Sequence, residues 1–194
     1  RSDETVIVTG TDAGATLRAG DSDVVGVQNA DFNFTFLQDG YFGAVGNASI
    51  RGPDIAGLDI TGTAELLINS TSTPREISLA GDALLVPGAT ANTPYLRVEV
   101  TEFAGDPATI AIDDSSITAD QLVFEREGAG ISVSGLNAGI TLAAAGRRIV
   151  GVSNADFALR FTETGFYGAL VEADVAGPDI GNFALAGQAR VLVN

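Results

Sequence analysis

A stretch of nine residues occurs twice, and this repetition constrains the fold more than any other feature. Val24-Val25-Gly26-Val27-Gln28-Asn29-Ala30-Asp31-Phe32 returns as Ile149-Val150-Gly151-Val152-Ser153-Asn154-Ala155-Asp156-Phe157, and Gly52-Pro53-Asp54-Ile55 returns as Gly177-Pro178-Asp179-Ile180. Both pairs are 125 positions apart, and residues 1–69 laid on 126–194 match at 28 of 69 positions without a gap. Many differences exchange like for like, as at Val6/Ile131, Tyr41/Phe166, Phe42/Tyr167 and Ile50/Val175. Self-similarity at a fixed period is the signature of a repeat array. The chain therefore reads as one unit, residues 1–125, followed by residues 126–194 of a second. Within the unit, 1–69 is the part that recurs and 70–125 is a connecting β segment; the start in mid-pattern at Arg1 reads as the edge of a piece from a longer array.

Apolar residues alternate at Val6/Val8, Phe32/Phe34/Phe36, Ala64/Leu66/Ile68, Leu96/Val98/Val100, Leu122/Phe124, Ile131/Val133, Phe157/Leu159/Phe161 and Ala189/Val191/Val193. A period of two places these side chains on one face of a sheet, with Asn, Asp, Thr and Ser on the other. No stretch keeps a 3.6-residue period for three turns, so helices are expected to be almost absent. Gln38-Asp39-Gly40 and Glu163-Thr164-Gly165 separate alternating runs and read as hairpin turns. Gly52-Pro53-Asp54 and Gly177-Pro178-Asp179 read as a second turn. The spacing predicts a strand every 9–12 residues or so. The fold class is all-β, and the favoured architecture is an elongated, mostly antiparallel β-roll or β-solenoid-like array. Tandem β-sandwich domains are the alternative.

Twenty-five acidic residues face 10 basic ones, all arginine, for a net charge of −15. Nucleic acid binding rests on neutralising phosphates with cations, so a nucleic acid partner is not expected. No apolar run approaches the ~20 residues of a membrane-spanning helix, and membrane insertion is not expected either. The charge reads first as a device for solubility.

Catalysis finds little material. Histidine, cysteine and lysine are all missing, which removes Ser-His-Asp and Cys-His mechanisms, Schiff-base chemistry and ordinary zinc sites. Carboxylate pairs such as Asp113-Asp114 or Glu125/Glu127 read as solvated acids, and no enzyme activity is expected. Calcium is the one cofactor the residues suggest, since hard cations prefer clustered carboxylate and amide oxygens. Asn29 with Asp31, and Asn154 with Asp156, stand two residues apart, a spacing that shares one face of an extended strand. Asp54 and Asp179 could add carboxylates from the Gly-Pro-Asp turns. Capping of turns by Asx side chains explains the same positions without metal. Acceptor sequons for N-glycosylation stand at Asn33, Asn47 and Asn69. Phe32, Phe36, Phe157 and Phe161 read as core, and one ring of each pair Tyr41-Phe42 and Phe166-Tyr167 is expected to face outward.

The succession Pro94-Tyr95-Leu96-Arg97-Val98-Glu99-Val100, Ile117-Thr118-Ala119-Asp120-Gln121-Leu122-Val123-Phe124 and Gly181-Asn182-Phe183-Ala184-Leu185-Ala186-Gly187 resembles tandem repeats of very large bacterial surface or secreted proteins. Leu67-Ile68-Asn69-Ser70-Thr71 is similar to a phrase that closes a unit in that group, although Ser72 stands where the group has glycine. The resemblance implies an extracellular or cell-surface, adhesin-like or scaffolding role and carries no catalytic residue. The expected function is a non-catalytic structural segment forming a rigid β rod or filament, with neighbouring copies as head-to-tail partners. A calcium- or carbohydrate-binding β module is the alternative.

Overall fold

The computed structural model of the chain describes residues 5–19, 22–55, 58–91, 93–178 and 185–194. Among these residues the structure is all-β, with no helix. Strands β1 (Val6–Ala19), β2 (Ser22–Leu37), β3 (Gly40–Ile55) and β4 (Leu58–Asn69) open the first unit. A small hairpin, β5 (Arg75–Leu79) and β6 (Asp82–Val86), follows. Then come β7 (Tyr95–Thr101), β8 (Ala108–Ile112), β9 (Ser115–Ala119) and β10 (Gln121–Glu127). The second unit supplies β11 (Gly130–Ala144), β12 (Arg147–Thr162), β13 (Gly165–Ala176) and β14 (Ala186–Val193).

Twelve of these strands form one antiparallel sheet, and β5–β6 form a second, two-stranded one. β7 and β8 lie end to end along β4, β7 on its Thr63–Asn69 half and β8 on Leu58–Thr61. β10 and β9 lie in the same manner along β11. Since β7 pairs with β10 and β8 with β9, each end-to-end pair acts as one interrupted long strand. The sheet is thus an up-and-down meander in which β1, β2, β3, β4, β7 with β8, and β9 with β10 make six tracks before β11 begins the pattern again. An even number of tracks restores the direction of the chain, so β11 enters as β1 does. Separate sandwiches would interrupt the sheet at the unit boundary, whereas the β10–β11 and β9–β11 ladders run straight through it.

Register repeats with the sequence. Val6↔Phe36, Gly10↔Phe32, Ala13↔Ala30, Ala15↔Val27 and Leu17↔Val25 in the first unit become Ile131↔Phe161, Gly135↔Phe157, Ala138↔Ala155, Ile140↔Val152 and Leu142↔Val150 in the second. The register shifts fall at the same places in both. A close approach fixes one of these pairs. A side-chain carbon added at Gly10 would lie 2.4 Å from the Phe32 ring, and one at Gly135 would lie 2.4 Å from that of Phe157. Each ring therefore covers a glycine across the ladder, a known way of pinning strand register.

The strands are longer than the sequence spacing predicted: β2, β3 and β12 each have 16 residues. Val27 and Phe32 lie on one such strand, which is bulged between them. Gly52-Pro53-Asp54 is also not the turn that was expected; its backbone belongs to the irregular last part of β3, between the pairs Gly52↔Ile60 and Ile55↔Leu58. The Gln38-Asp39 turn is a tight two-residue hairpin closed by Leu37↔Gly40, repeated at Thr162↔Gly165.

The alternating apolar residues do share one face. One row crosses the sheet as Ile68, Leu96, Arg126, Ile131, Phe161 and Phe166; the next as Phe32, Val45, Leu66, Val98, Phe124, Val133, Leu159 and Val193. Yet none of these side chains is fully buried, and Val6, Val8, Phe36, Tyr41, Phe161, Phe166 and Val191 are more than a third exposed. The core reading of Phe36 and Phe161 is corrected accordingly: the face is apolar, but among the described residues no layer closes over those rings. The whole chain exposes 11851 Å², where a compact monomer of its mass would expose about 8,600 Å². Burial concentrates on the opposite face, where the β5–β6 hairpin lies across β2, β3 and β4 and meets Tyr95 of β7. Ile77, Leu79 and Val86 of the hairpin pack with Ala44, Leu67 and Tyr95 of the sheet, flanked by Phe42 and Leu84.

Candidate functional site

Three constellations of polar residues stand out on this sheet, and the first contains the residues singled out for calcium. Asp12, Asn29 and Asn47, on the adjacent strands β1, β2 and β3, have φ of 50°, 57° and 54°; Asn137, Asn154 and Glu172 repeat this on β11, β12 and β13 with 47°, 55° and 58°. Asx residues tolerate the left-handed region because their short side chains bond locally, and a single left-handed residue is one way to build a β-bulge. In all six strands the next residue is alanine, and Ala30, Ala48, Ala138, Ala155 and Ala173 are buried. The result is a row of bulges across the two units, five of them Asx-Ala and one, at Glu172, Glu-Ala.

Asp31 ties this row together. Its Oδ1 accepts the Asp12 N–H at 3.1 Å, and its Oδ2 accepts the Asn47 side-chain amide at 2.9 Å. In the second unit Asp156 Oδ1 accepts the Asn137 N–H at 2.9 Å, while the Asn137 and Asn154 amides donate to Asp120 at 3.0 Å and to Asp174 at 2.7 Å. The structure thus brings Asp31 to Asp12 and Asn47, and Asp156 to Asn137. The expected sharing of a strand face by Asn29 with Asp31, and by Asn154 with Asp156, assumed extended backbone, and the left-handed φ at both asparagines removes that assumption. Asp179 lies outside the described residues, as does the side chain of Asp54. Among the described residues no three His, Cys, Asp or Glu side chains converge as a metal cluster would require. The bonds at Asp31 and Asp156 are those of carboxylates capping bulges.

The second constellation fastens the hairpin. Asn69, fully buried, donates to the carbonyls of Thr73 at 2.9 Å and Val86 at 3.3 Å, and its Oδ1 accepts both the N–H and the hydroxyl of Thr71 at 2.8 Å. Arg75 reaches the Thr71 hydroxyl at 3.2 Å and lies over the Phe42 ring at 5.4 Å. The sequence marks Asn69 as a sequon and as part of the Leu67–Thr71 phrase, not as the anchor of a hairpin. All three sequon amides are used within the fold: Asn33 donates to the Ser78 carbonyl at 2.9 Å, Asn47 to Asp31, and Asn69 to the loop it holds.

The third lies on the hairpin side of β4, β7 and β10. Glu65 and Glu99 stand directly opposite across the ladder and line a shallow depression of about 200 Å³ with Asn47, Thr63, Ala64 and Thr101. Burial alone would raise the Glu99 carboxyl, but hydrogen bonds from Arg97 and Gln121 outweigh it and hold the group below the usual carboxylate value. Tyr95 donates to Glu125 at 2.8 Å; burial, with that bond, pushes its hydroxyl well above its ordinary value. Of the carboxylates weighed as pairs, Asp114 accepts the Gly146 N–H at 2.8 Å in a turn, and Asp113 sits beside it with φ of 49°. Glu127 is exposed at the end of β10. The Glu65/Glu99 pairing was missed because it joins strands 34 positions apart in a register the alternation does not specify.

No protein-family model matches the chain, and neither a curated protein nor a solved structure matches it.

Proposed function

We propose that this chain is a non-catalytic structural segment of an extended β array, in which each unit extends the sheet begun by the one before. The observation that carries the reading is the unbroken ladder at the boundary, β10 on β11 and β9 on β11. Neighbouring units, joined head to tail, are then the principal partners. The elongated roll is the form proposed for the array: strands in a sheet turn by about 20–25° each, so six tracks turn it by about 120–150° per unit. Such an array is quasi-one-dimensional, each unit stabilised by its neighbours. The charge of −15 keeps it soluble, and the resemblance to repeats of large surface proteins supports placement outside the cell, as an adhesin-like rod.

Small-angle X-ray scattering on chains of one, two and three tandem units tests the proposal. Six tracks at about 4.8 Å spacing give an expected increase in length of about 29 Å per unit. Dimensions that grow as those of a compact globule would refute it. A second reading, a carbohydrate-binding module, draws on the aromatic pairs Phe36–Tyr41 and Phe161–Phe166, which recur at the same cross-strand position with ring centroids 6.3 and 5.8 Å apart. Glycan-dependent quenching lost on Phe161→Ala would favour it over the purely structural reading.

A further inference from the structure

We infer that the face formed by β12, β13 and β14 of the second unit is a docking site for a β-hairpin of the β5–β6 type, carrying a side chain smaller than leucine where β5 carries Leu79. The inference rests on the reading of the chain as a repeat array. It starts from equivalence. Ala44, Leu67 and Phe42 lie beneath the hairpin in the first unit, and their counterparts 125 positions on are Ala169, Leu192 and Tyr167. Leu67 is 8% exposed, whereas Leu192 is 69% and Tyr167 52%. An open apolar patch of this kind on an otherwise polar face marks an interaction surface.

The fixings of the hairpin recur as well. Gly40 has φ of 151° and Gly165 of 155°; a side-chain carbon at Gly40 would lie 2.6 Å from the Ser70 hydroxyl, but one at Gly165 would meet nothing within 4 Å. The place that Ser70 and Thr71 occupy against Gly40 corresponds, in the second unit, to an open depression of about 520 Å³ lined by Thr162, Thr164, Gly165, Phe166, Tyr167 and Asn194. Asn194 is the counterpart of Asn69, the buried amide that holds the hairpin's base. Tyr167 offers the ring on which an arginine equivalent to Arg75 would rest, as Arg75 rests on Phe42.

Two differences define the occupant further. Gly46 becomes Val171, and a side-chain carbon at Gly46 would already lie 2.8 Å from Leu79 Cδ2. Valine in that position crowds the tip of a leucine above it, and added methyl groups in a packed contact are destabilising. Asn33, which bonds the Ser78 carbonyl, becomes Ala158, so the occupant lacks that bond. A hairpin with alanine at the Leu79 position therefore fits the second unit better than the first unit's own hairpin does.

The test uses the 194-residue chain and synthetic peptides of residues 70–91, with and without Leu79→Ala, followed by methyl NMR of Ala169 and Leu192. The Leu79→Ala peptide is expected to give saturable shifts at both methyl sites, at least tenfold tighter than the unaltered peptide, and to lose them in the Leu192→Asp chain. Appending the same two sequences after Asn194 removes dependence on the peptide's own folding, and the alanine version is expected to raise the thermal midpoint more. Equal effects of the two sequences would overturn the size rule, and no effect in either format would overturn the docking site. Self-association lost on Leu192→Asp, without peptide binding, would assign the face to a second copy and overturn it too. Scattering from tandem units reads length alone, so failure of the array reading is distinguishable from failure of this site.

Discussion

Leu67 and Leu192 occupy the same position in the two units, directly opposite Ala44 and Ala169, yet one is closed in and the other stands in solvent. Around them the two units share strand order, register, bulge positions and hairpin turns. Among the described residues, only those of the first unit have a hairpin, β5–β6, over this face. The comparison separates two causes that are usually entangled. The shape of the sheet follows from local backbone chemistry: left-handed Asx residues, aromatic rings on glycines and tight turns, present with or without a cover. The dense apolar packing comes from one small hairpin held by Asn69.

The largest expected effect breaks the comparison at its centre. Leu67→Ala should cost about 2–5 kcal/mol, the range for a buried leucine. Leu192→Ala should stay within about 0.5 kcal/mol, as for surface substitutions. Urea titrations of the two variants, with exchange at β4 and β14 as local probes, decide whether the hairpin makes the difference. Asn69→Ala comes next, at about 2–3 kcal/mol, because it leaves the buried Thr71 N–H without its acceptor and removes the amide's bonds to Thr73 and Val86. The same change at Asn194 should be nearly silent, and equal effects would mean that the hairpin is not held as described.

Asp31→Ala should cost about 1 kcal/mol through its two bonds to neighbouring bulges. It should leave thermal stability insensitive to added calcium, as in the parent chain; a calcium-dependent rise in the parent that Asp31→Ala abolishes would favour the metal reading. The smallest effects concern pH. Glu99 is held below the usual carboxylate value, so its contribution is present at neutral pH and fades as pH falls through that lowered value. The hydroxyl of Tyr95 is raised, so its contribution is intact below the ordinary tyrosine value and is lost as pH climbs beyond it. Tyr95→Phe should remove the part of the alkaline absorbance change that coincides with unfolding.

Much of this architecture was legible in the residues. The 125-residue offset carries over to the ladders, and the period-two rows at Phe32, Leu66, Val98, Phe124 and Val133 form one face. What periodicity does not reveal is whether a face is covered, since alternation reports a preference of side chains and not the presence of a second layer. Strand length was misjudged for a related reason: the alternation changes phase at a left-handed asparagine such as Asn29, and the strand continues through it as a bulge. The β5–β6 hairpin escaped notice because its turn is Ala80-Gly81, with φ of 51° and 97°. Asparagine or aspartate is the usual signal before glycine there, and alanine gives none. The bonding of Asp31 to Asp12 and Asn47 depends on three strands meeting in register, which no single stretch of sequence encodes.

The central claim is that one sheet passes without interruption from the first unit into the second. Amide hydrogen exchange along residues 121–127 and 130–136, the two sides of the boundary ladder, tests it most directly. Protection there equal to that within the β2–β3 ladder of the first unit is the expected result. Rapid exchange on both sides of the boundary, with protected strands to either side of it, would contradict it.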